Sequence, residues 1–137
     1  MMANGARLAY QVGLTPNLAS GSGIIAALIS AFMFGSPYYF PYNLIVASLL
    51  LLVSGFFDAL DGVIARLYGR VTVFGGFLDS MLDRYADALV LAGIVLGGFA
   101  DPFWGFLALI GSLLVSYSRA RAEAAGVKME TVGLAER

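Results

Sequence analysis

Asp58-Ala59-Leu60-Asp61-Gly62-Val63-Ile64-Ala65-Arg66, eight intervening residues, and Gly75-Gly76-Phe77-Leu78-Asp79-Ser80-Met81-Leu82-Asp83 form the stretch on which the reading of this chain turns. Two pairs of aspartates flank a short polar break inside otherwise apolar sequence. If the flanking segments are antiparallel helices, Asp61 and Asp79 lie equally far from Arg70, and Asp58 and Asp83 almost equally far, so the four carboxylates converge at one depth. Spacings of three and four put Asp58, Asp61 and Ala65 on one helix face, and Asp79 and Asp83 on one face of the next helix. An aspartate at mid-membrane costs roughly 2.5–3.5 kcal/mol, so four unpaired ones approach about 10 kcal/mol. A cationic partner is required.

The chain contains no His and no Cys. Carboxylate oxygens alone select Mg²⁺, Mn²⁺ or Ca²⁺ and argue against zinc or iron–sulfur chemistry. Magnesium commonly completes its coordination with substrate phosphates, which points to a phosphate-bearing substrate.

Working outward, the 137 residues are 60% hydrophobic and 12% charged, with a mean hydropathy of +0.85. That composition belongs to a membrane protein. Apolar stretches run from Leu18 to Phe34, Leu44 to Leu67, Phe74 to Phe99 and Pro102 to Ala122, each close to the ~20 residues that span a bilayer core. The expected fold is an all-α, polytopic transmembrane helix bundle with four helices in this chain. Residues 1–137 read as one domain, without repeats or low-complexity linkers.

The basic residues Arg7, Arg66, Arg70, Arg84, Arg119, Arg121, Lys128 and Arg137 avoid the connections at Gly35–Asn43 and Ala100–Pro102. The positive-inside rule therefore puts the N-terminus, the Arg70 loop and the tail after Arg121 in the cytoplasm, with the aspartates opening to that side. Tyr38-Tyr39-Phe40-Pro41-Tyr42 and Phe103-Trp104 suit the opposite interface. Met1 to Val12 is too short and too weakly apolar for a cleaved signal peptide. It reads instead as a short interfacial helix, with Leu8 and Val12 on one face and Arg7 reaching headgroups, or as a frayed terminus.

Local signals add detail. Gly62 beside Asp61 removes a side chain where a ligand would approach, and Gly69 is placed to end its helix in the left-handed C′ position. Gly75 and Gly76 leave room at the start of the next helix, or serve as packing contacts. Arg66 and Arg70, taken alone, are ordinary snorkelling residues. Arg84 and Asp87, at i,i+3, either pair with each other or reach a second substrate.

The spaced aspartates, Gly62, Ala65, Arg66 and Gly75 match every fixed position of the CDP-alcohol phosphotransferase signature, and the chain resembles that family along essentially its whole length. The resemblance implies two divalent cations per site, Mg²⁺ or Mn²⁺, held by Asp58, Asp61, Asp79 and Asp83, with Asp83 also the catalytic proton acceptor. An acceptor hydroxyl attacks the β-phosphorus of a CDP-linked lipid and CMP leaves. By the same resemblance, Asn17, Leu18, Ala19, Ser20, Gly62, Ala65, Arg66, Thr72 and Gly75 contact the CDP-lipid. Read without the resemblance, Thr15 or Asn17 simply caps the helix that starts at Pro16.

The segment from Ser116 to Gly126 and Gly133-Leu134-Ala135-Glu136-Arg137 resemble the branch of this family making archaeal and actinobacterial inositol phospholipids. Arg119, Arg121 and Arg137 would then bind inositol phosphate as acceptor, since a phosphorylated acceptor needs cationic donors. Glycerol 3-phosphate is the alternative acceptor, and the bland alternative is a basic cytoplasmic helix end. Arg119 and Arg121 project about 200° apart on an ideal helix. The resemblance further implies six transmembrane helices, so that two would follow this chain, together with a homodimer, a plasma-membrane location and no nucleic-acid partner. A metal transporter is the competing class. It would predict acids on several helices, whereas these come from two.

Overall fold

The computed structural model describes residues 7, 10, 13–36 and 42–127. The described residues form four long helices: α1 (Pro16–Gly35), α2 (Asn43–Leu67), α3 (Val73–Leu96) and α4 (Pro102–Ala124). This is the all-α membrane bundle expected from the hydropathy pattern. By length and composition α1, α2 and α4 each suit a membrane span. Helix α3 is as long, at 24 residues, but it carries Asp79, Asp83, Arg84 and Asp87, and that charge separates it from its neighbours.

The ends of the helices follow from local chemistry. Thr15 Oγ1 accepts from Leu18 N ahead of Pro16, Thr72 Oγ1 accepts from Gly75 N at 2.9 Å, and Asp101 Oδ1 accepts from Phe103 N ahead of Pro102. Each of these oxygens satisfies an amide that the first helical turn leaves orphaned. Gly69 is left-handed, with φ of 62°, and Arg70 N donates back to Ala65 O, the Schellman closure expected there. Helix α3 ends at Leu96, short of the expected Phe99, because Gly98 adopts φ of 76° and Phe99 N returns to Ile94 O. Arg7 and Tyr10 are both helical. The Leu8 and Val12 face of the proposed interfacial helix lies outside the described residues, as does Tyr38–Pro41 of the aromatic run.

Helix α1 is the centre of the bundle. It packs on α2 and on α3, α4 packs on α3, and among the described residues α2 and α3 do not pack directly on each other. The antiparallel relation of α2 and α3 holds, but α1 mediates it. Small residues allow this arrangement: Ala19, Gly23, Ala26, Ala27, Ser30 and Ala31 are buried along α1, so neighbouring backbones approach closely. A Cβ on Gly23 would sit 3.2 Å from Ser54 O and 3.3 Å from Phe57 Cβ. On the α3 side, a Cβ on Gly93 would meet Ala31 O at 2.3 Å. Ser30, fully buried, donates to Ala47 O at 2.7 Å and pins α1 to α2. At the end of α1, buried Asn43 donates to Ser36 O at 2.6 Å, supplying a partner for a terminal carbonyl.

Large apolar side chains point outward instead. Leu49, Leu52, Phe56, Phe106, Leu114 and Val115 are all exposed, as expected where the surrounding solvent is hydrocarbon.

Candidate metal and substrate site

Because α1 is wedged between α2 and α3, the aspartates face one another across a gap rather than across a packed helix seam. One carboxylate oxygen from each of Asp58, Asp61 and Asp79 comes within 4.8 Å of the others. Asp83 lies outside that triad but shares with it a cavity of about 30 Å³, also lined by Ser20, Gly23 and Ser54. Asp61 is the most enclosed of the four, at 5% exposure. Asp79 and Asp83 are half-buried and Asp58 is exposed.

The donor set fits a hard divalent cation. Three carboxylates converge, and among the described residues no arginine or lysine lies within 4 Å of Asp58, Asp61 or Asp79. Asp83 does have a cationic neighbour: Arg84 Nη2 stands 3.6 Å from its Oδ2. The aspartate expected to handle a proton is thus set apart from the three that cluster.

Ser20 turns toward this site. Its hydroxyl lies within hydrogen-bonding reach of Asp61 Oδ2 and of Pro16 O, so it orients the buried carboxylate across the α1–α2 interface. The sequence reading put Ser20 against a lipid headgroup and missed this contact, which links positions 41 residues apart. Of the other residues in that segment, Asn17 and Leu18 are exposed, but Ala19 is fully buried. The side chain of Ala19 therefore packs inside the bundle, whereas a headgroup contact was expected.

The remaining residues of the expected donor site do not line the small carboxylate cavity. Arg66 is exposed and folds back over Gly62, where a Cβ would be 3.6 Å from its Nη2. That distance is ordinary contact, so internal packing does not demand a glycine there. Ala65 is half-buried. Thr72 caps α3, and a Cβ on Gly75 would come within 2.7 Å of Thr72 Oγ1. Gly75 therefore has a local reason to lack a side chain. The hydroxyl hydrogen of Thr72 remains free of that bond, since its oxygen is the acceptor. Tyr10 stacks on Tyr68 at 3.7 Å with Arg70 over its ring at 5.8 Å, beside the loop that carries Thr72.

A larger cavity, about 520 Å³, opens between α3 and α4. Asp79, Asp83, Arg84, Ser116, Arg119 and Glu123 are among its lining residues. Arg119 Nε also lies 3.6 Å from Glu123 Oε1, an exposed i,i+4 pair of small energetic weight. Arg121 is exposed and is not part of this lining, as the angular separation of the two arginines requires. Arg137 lies outside the described residues. Arg84, which the sequence leaves either paired with Asp87 or reaching a second substrate, borders the cavity directly and donates from Nη1 to Ser116 Oγ at 2.6 Å.

The described residues form a helical membrane domain in which clustered carboxylates stand beside a cavity bordered by Arg84 and Arg119, and the chain belongs to the CDP-alcohol phosphatidyltransferase family, whose pattern it matches over residues 14–135. It is 47% identical over 126 residues to the archaetidylinositol phosphate synthase of Pyrococcus horikoshii, covering 92% of this chain and 64% of that protein. It also superposes on crystal structures of the Mycobacterium tuberculosis phosphatidylinositol phosphate synthase, at 30% identity and over the whole of this chain. The complex with manganese and citrate gives a TM-score of 0.77 over 66% of that protein. The complex with CDP-DAG gives 0.74 over 69%. The chain thus spans less than two thirds of the length of the Pyrococcus relative.

Proposed function

We propose that the protein transfers a phosphatidyl-type group from a CDP-linked lipid to the hydroxyl of inositol 1-phosphate, releasing CMP. The observation that carries this reading is that Asp79 and Asp83 line both the small carboxylate cavity and the larger one bordered by Arg84 and Arg119. An anionic acceptor seated near those arginines would present its hydroxyl to Asp83. Family membership and the CDP-DAG bound to the mycobacterial synthase support the donor. The name of the Pyrococcus relative supports the acceptor.

Asp58, Asp61 and Asp79, with Asp83 at the edge, would hold two divalent cations, Mg²⁺ or Mn²⁺. The manganese in the mycobacterial structure supports a cation of this kind. When bound, such cations neutralise the diphosphate and the departing phosphate, which is most of what in-line phosphoryl transfer requires. The protein's own groups do the rest. Ser20 holds Asp61 in orientation. Arg66 binds the diphosphate, with Gly62 leaving room for the nucleotide. Asp83 takes the proton from the acceptor hydroxyl as its oxygen bonds to the β-phosphorus, and the bond to the bridging oxygen breaks so that CMP carries that oxygen away.

A turnover assay in liposomes, following CMP with a panel of acceptors, tests the reading. Inositol 1-phosphate should be used well and free myo-inositol poorly. Arg119→Ala should raise the apparent KM for inositol 1-phosphate by about tenfold or more, the worth of a charge-assisted bond, whereas Arg121→Ala, away from the cavity, should do less. Faster use of glycerol 3-phosphate would replace the acceptor while leaving the transfer chemistry standing.

The reading includes a plasma-membrane enzyme with its site toward the cytoplasm, paired as a homodimer. Cysteines introduced at Ser36 and Val71, in a chain that has none, give the test. An impermeant reagent added to intact cells should label position 36 and spare position 71, and the reverse pattern would invert the orientation. Light scattering in detergent measures the pairing, and a single-copy mass would remove the dimer.

A further inference from the structure

Helix α4 is held to the bundle in an uneven way. Among the described residues it packs on α3. At its N-terminal end the contact is tight: a Cβ on Gly105 would fall 2.2 Å from Val95 Cγ2. Toward the aspartates, the cavity of about 520 Å³ separates the two helices, and polar groups reach across. Arg84 Nη1 donates to Ser116 Oγ at 2.6 Å. Its Nη2 and Nε lie 3.6 Å from Asp83 Oδ2 and 3.7 Å from Asp87 Oδ2. One turn deeper, Ser112 Oγ donates to Asp87 Oδ2 at 3.4 Å. Arg84, Asp87 and Ser112 also border a second cavity, of about 660 Å³, running inward along α1 and α2. The guanidinium therefore stands at the boundary of two cavities and joins two helices.

We propose that Arg84, Asp87, Ser112 and Ser116 form a polar clamp that sets the spacing between α3 and the cytoplasmic half of α4, and so fixes Arg119 relative to Asp83. Arg84 is then a positioning residue for the acceptor side of the site. The proposal deepens the acceptor reading above and rests on it for its kinetic part only. A planar guanidinium suits the task because its nitrogens diverge in a fixed fork, so that Nη1 bonds Ser116 while Nη2 and Nε face Asp83 and Asp87 at ion-pair distance, whereas a lysine ammonium is a single point of charge on a flexible stem. Cutting the clamp leaves the Gly105 contact as a pivot about which the rest of α4 can lean.

The test uses the full-length protein in liposomes with two readouts. The first is the distance between spin labels on cysteines at Tyr85 and Tyr117, both exposed positions on α3 and α4. The second is KM for acceptor and for CDP-lipid. Arg84→Ala should broaden the distance distribution and raise acceptor KM about tenfold, with donor KM changed less than about twofold. Arg84→Lys should recover only part of both. Ser116→Ala, which leaves Asp83 and its cationic neighbour in place, should give a smaller change in the same two readouts, about threefold in acceptor KM. A distance distribution unchanged in both Arg84→Ala and Ser116→Ala overturns the clamp, as does a donor KM that rises in step with the acceptor KM. If the unmodified protein turns over no inositol phosphate, the acceptor reading fails, and the spin-label distances still decide the clamp.

Discussion

Asp61→Asn is expected to reduce CMP release on the order of a thousandfold while leaving the bundle intact. The carboxylate is the most enclosed of the four, at 5% exposure, and sits within 4.8 Å of oxygens from Asp58 and Asp79. Asparagine keeps the shape and an oxygen that can still accept from Ser20, but it removes the charge that a cation requires. Losing one precisely placed charge in a phosphoryl-transfer site typically costs two to three orders of magnitude or more. Stability should move the other way. With no cation bound, three acids crowd one point, and neutralising the buried one relieves both repulsion and desolvation. CMP release in liposomes and thermal melting in chelator check the two halves together. Full activity in excess chelator would remove the metal assignment altogether, and an inactive variant that has also lost its melting transition would show a structural role for Asp61.

Gly93→Ala should damage the protein from the far side of the bundle. The added Cβ would stand 2.3 Å from Ala31 O, 3.1 Å from Ala31 C and 3.2 Å from Ala31 Cα. All three are backbone atoms, so no side chain can swing aside and α3 must move away from α1. Overpacking of this kind costs about 1–3 kcal/mol, or a melting temperature lower by about 5–10 °C for a domain near this size. Since α1 is the element that relates α3 to α2, the shift also moves Asp79 and Asp83 relative to Asp61. A displacement of about 1 Å in such a site can cost a hundredfold in rate. Gly111→Ala is the control, because a Cβ there meets nothing within 4 Å and alanine favours the helix. Equal melting temperatures for the two variants would show that the α1–α3 crossing is looser than its geometry indicates.

Much of the candidate site is legible in the sequence. The four aspartates, the absence of His and Cys, and the two glycines are local facts, and their spacing along a helix follows from its 3.6-residue period. Helix boundaries were legible for the same reason. Pro16 and Pro102 start helices, and Gly69 ends one with φ of 62°. The end of α3 was misplaced by three residues because apolarity continues through Phe99 although the Gly97-Gly98 pair has already turned the backbone.

What the sequence by itself determined is the chemistry available: hard oxygen ligands at fixed helical spacing, a chain apolar enough for a bilayer, and a residue pattern shared with a family of CDP-lipid transferases. Tertiary structure alone decided which of those groups meet. The small residues Gly23, Ala27 and Ala31 announce a helix contact without saying with what, and it is the fold that puts α1 between α2 and α3 and turns Ser20 onto Asp61. Likewise, either Arg119 or Arg121 could have faced the cavity between α3 and α4. Helix α4 packs on α3 with one phase, set by Gly105 at one end and Arg84 with Ser116 toward the other, and that phase brings Arg119 to the cavity and leaves Arg121 outside it. The physical reason is common to these cases. Period and composition act within a helix, whereas the rotation of one helix against another is set by packing between residues far apart in the chain, which no local pattern encodes.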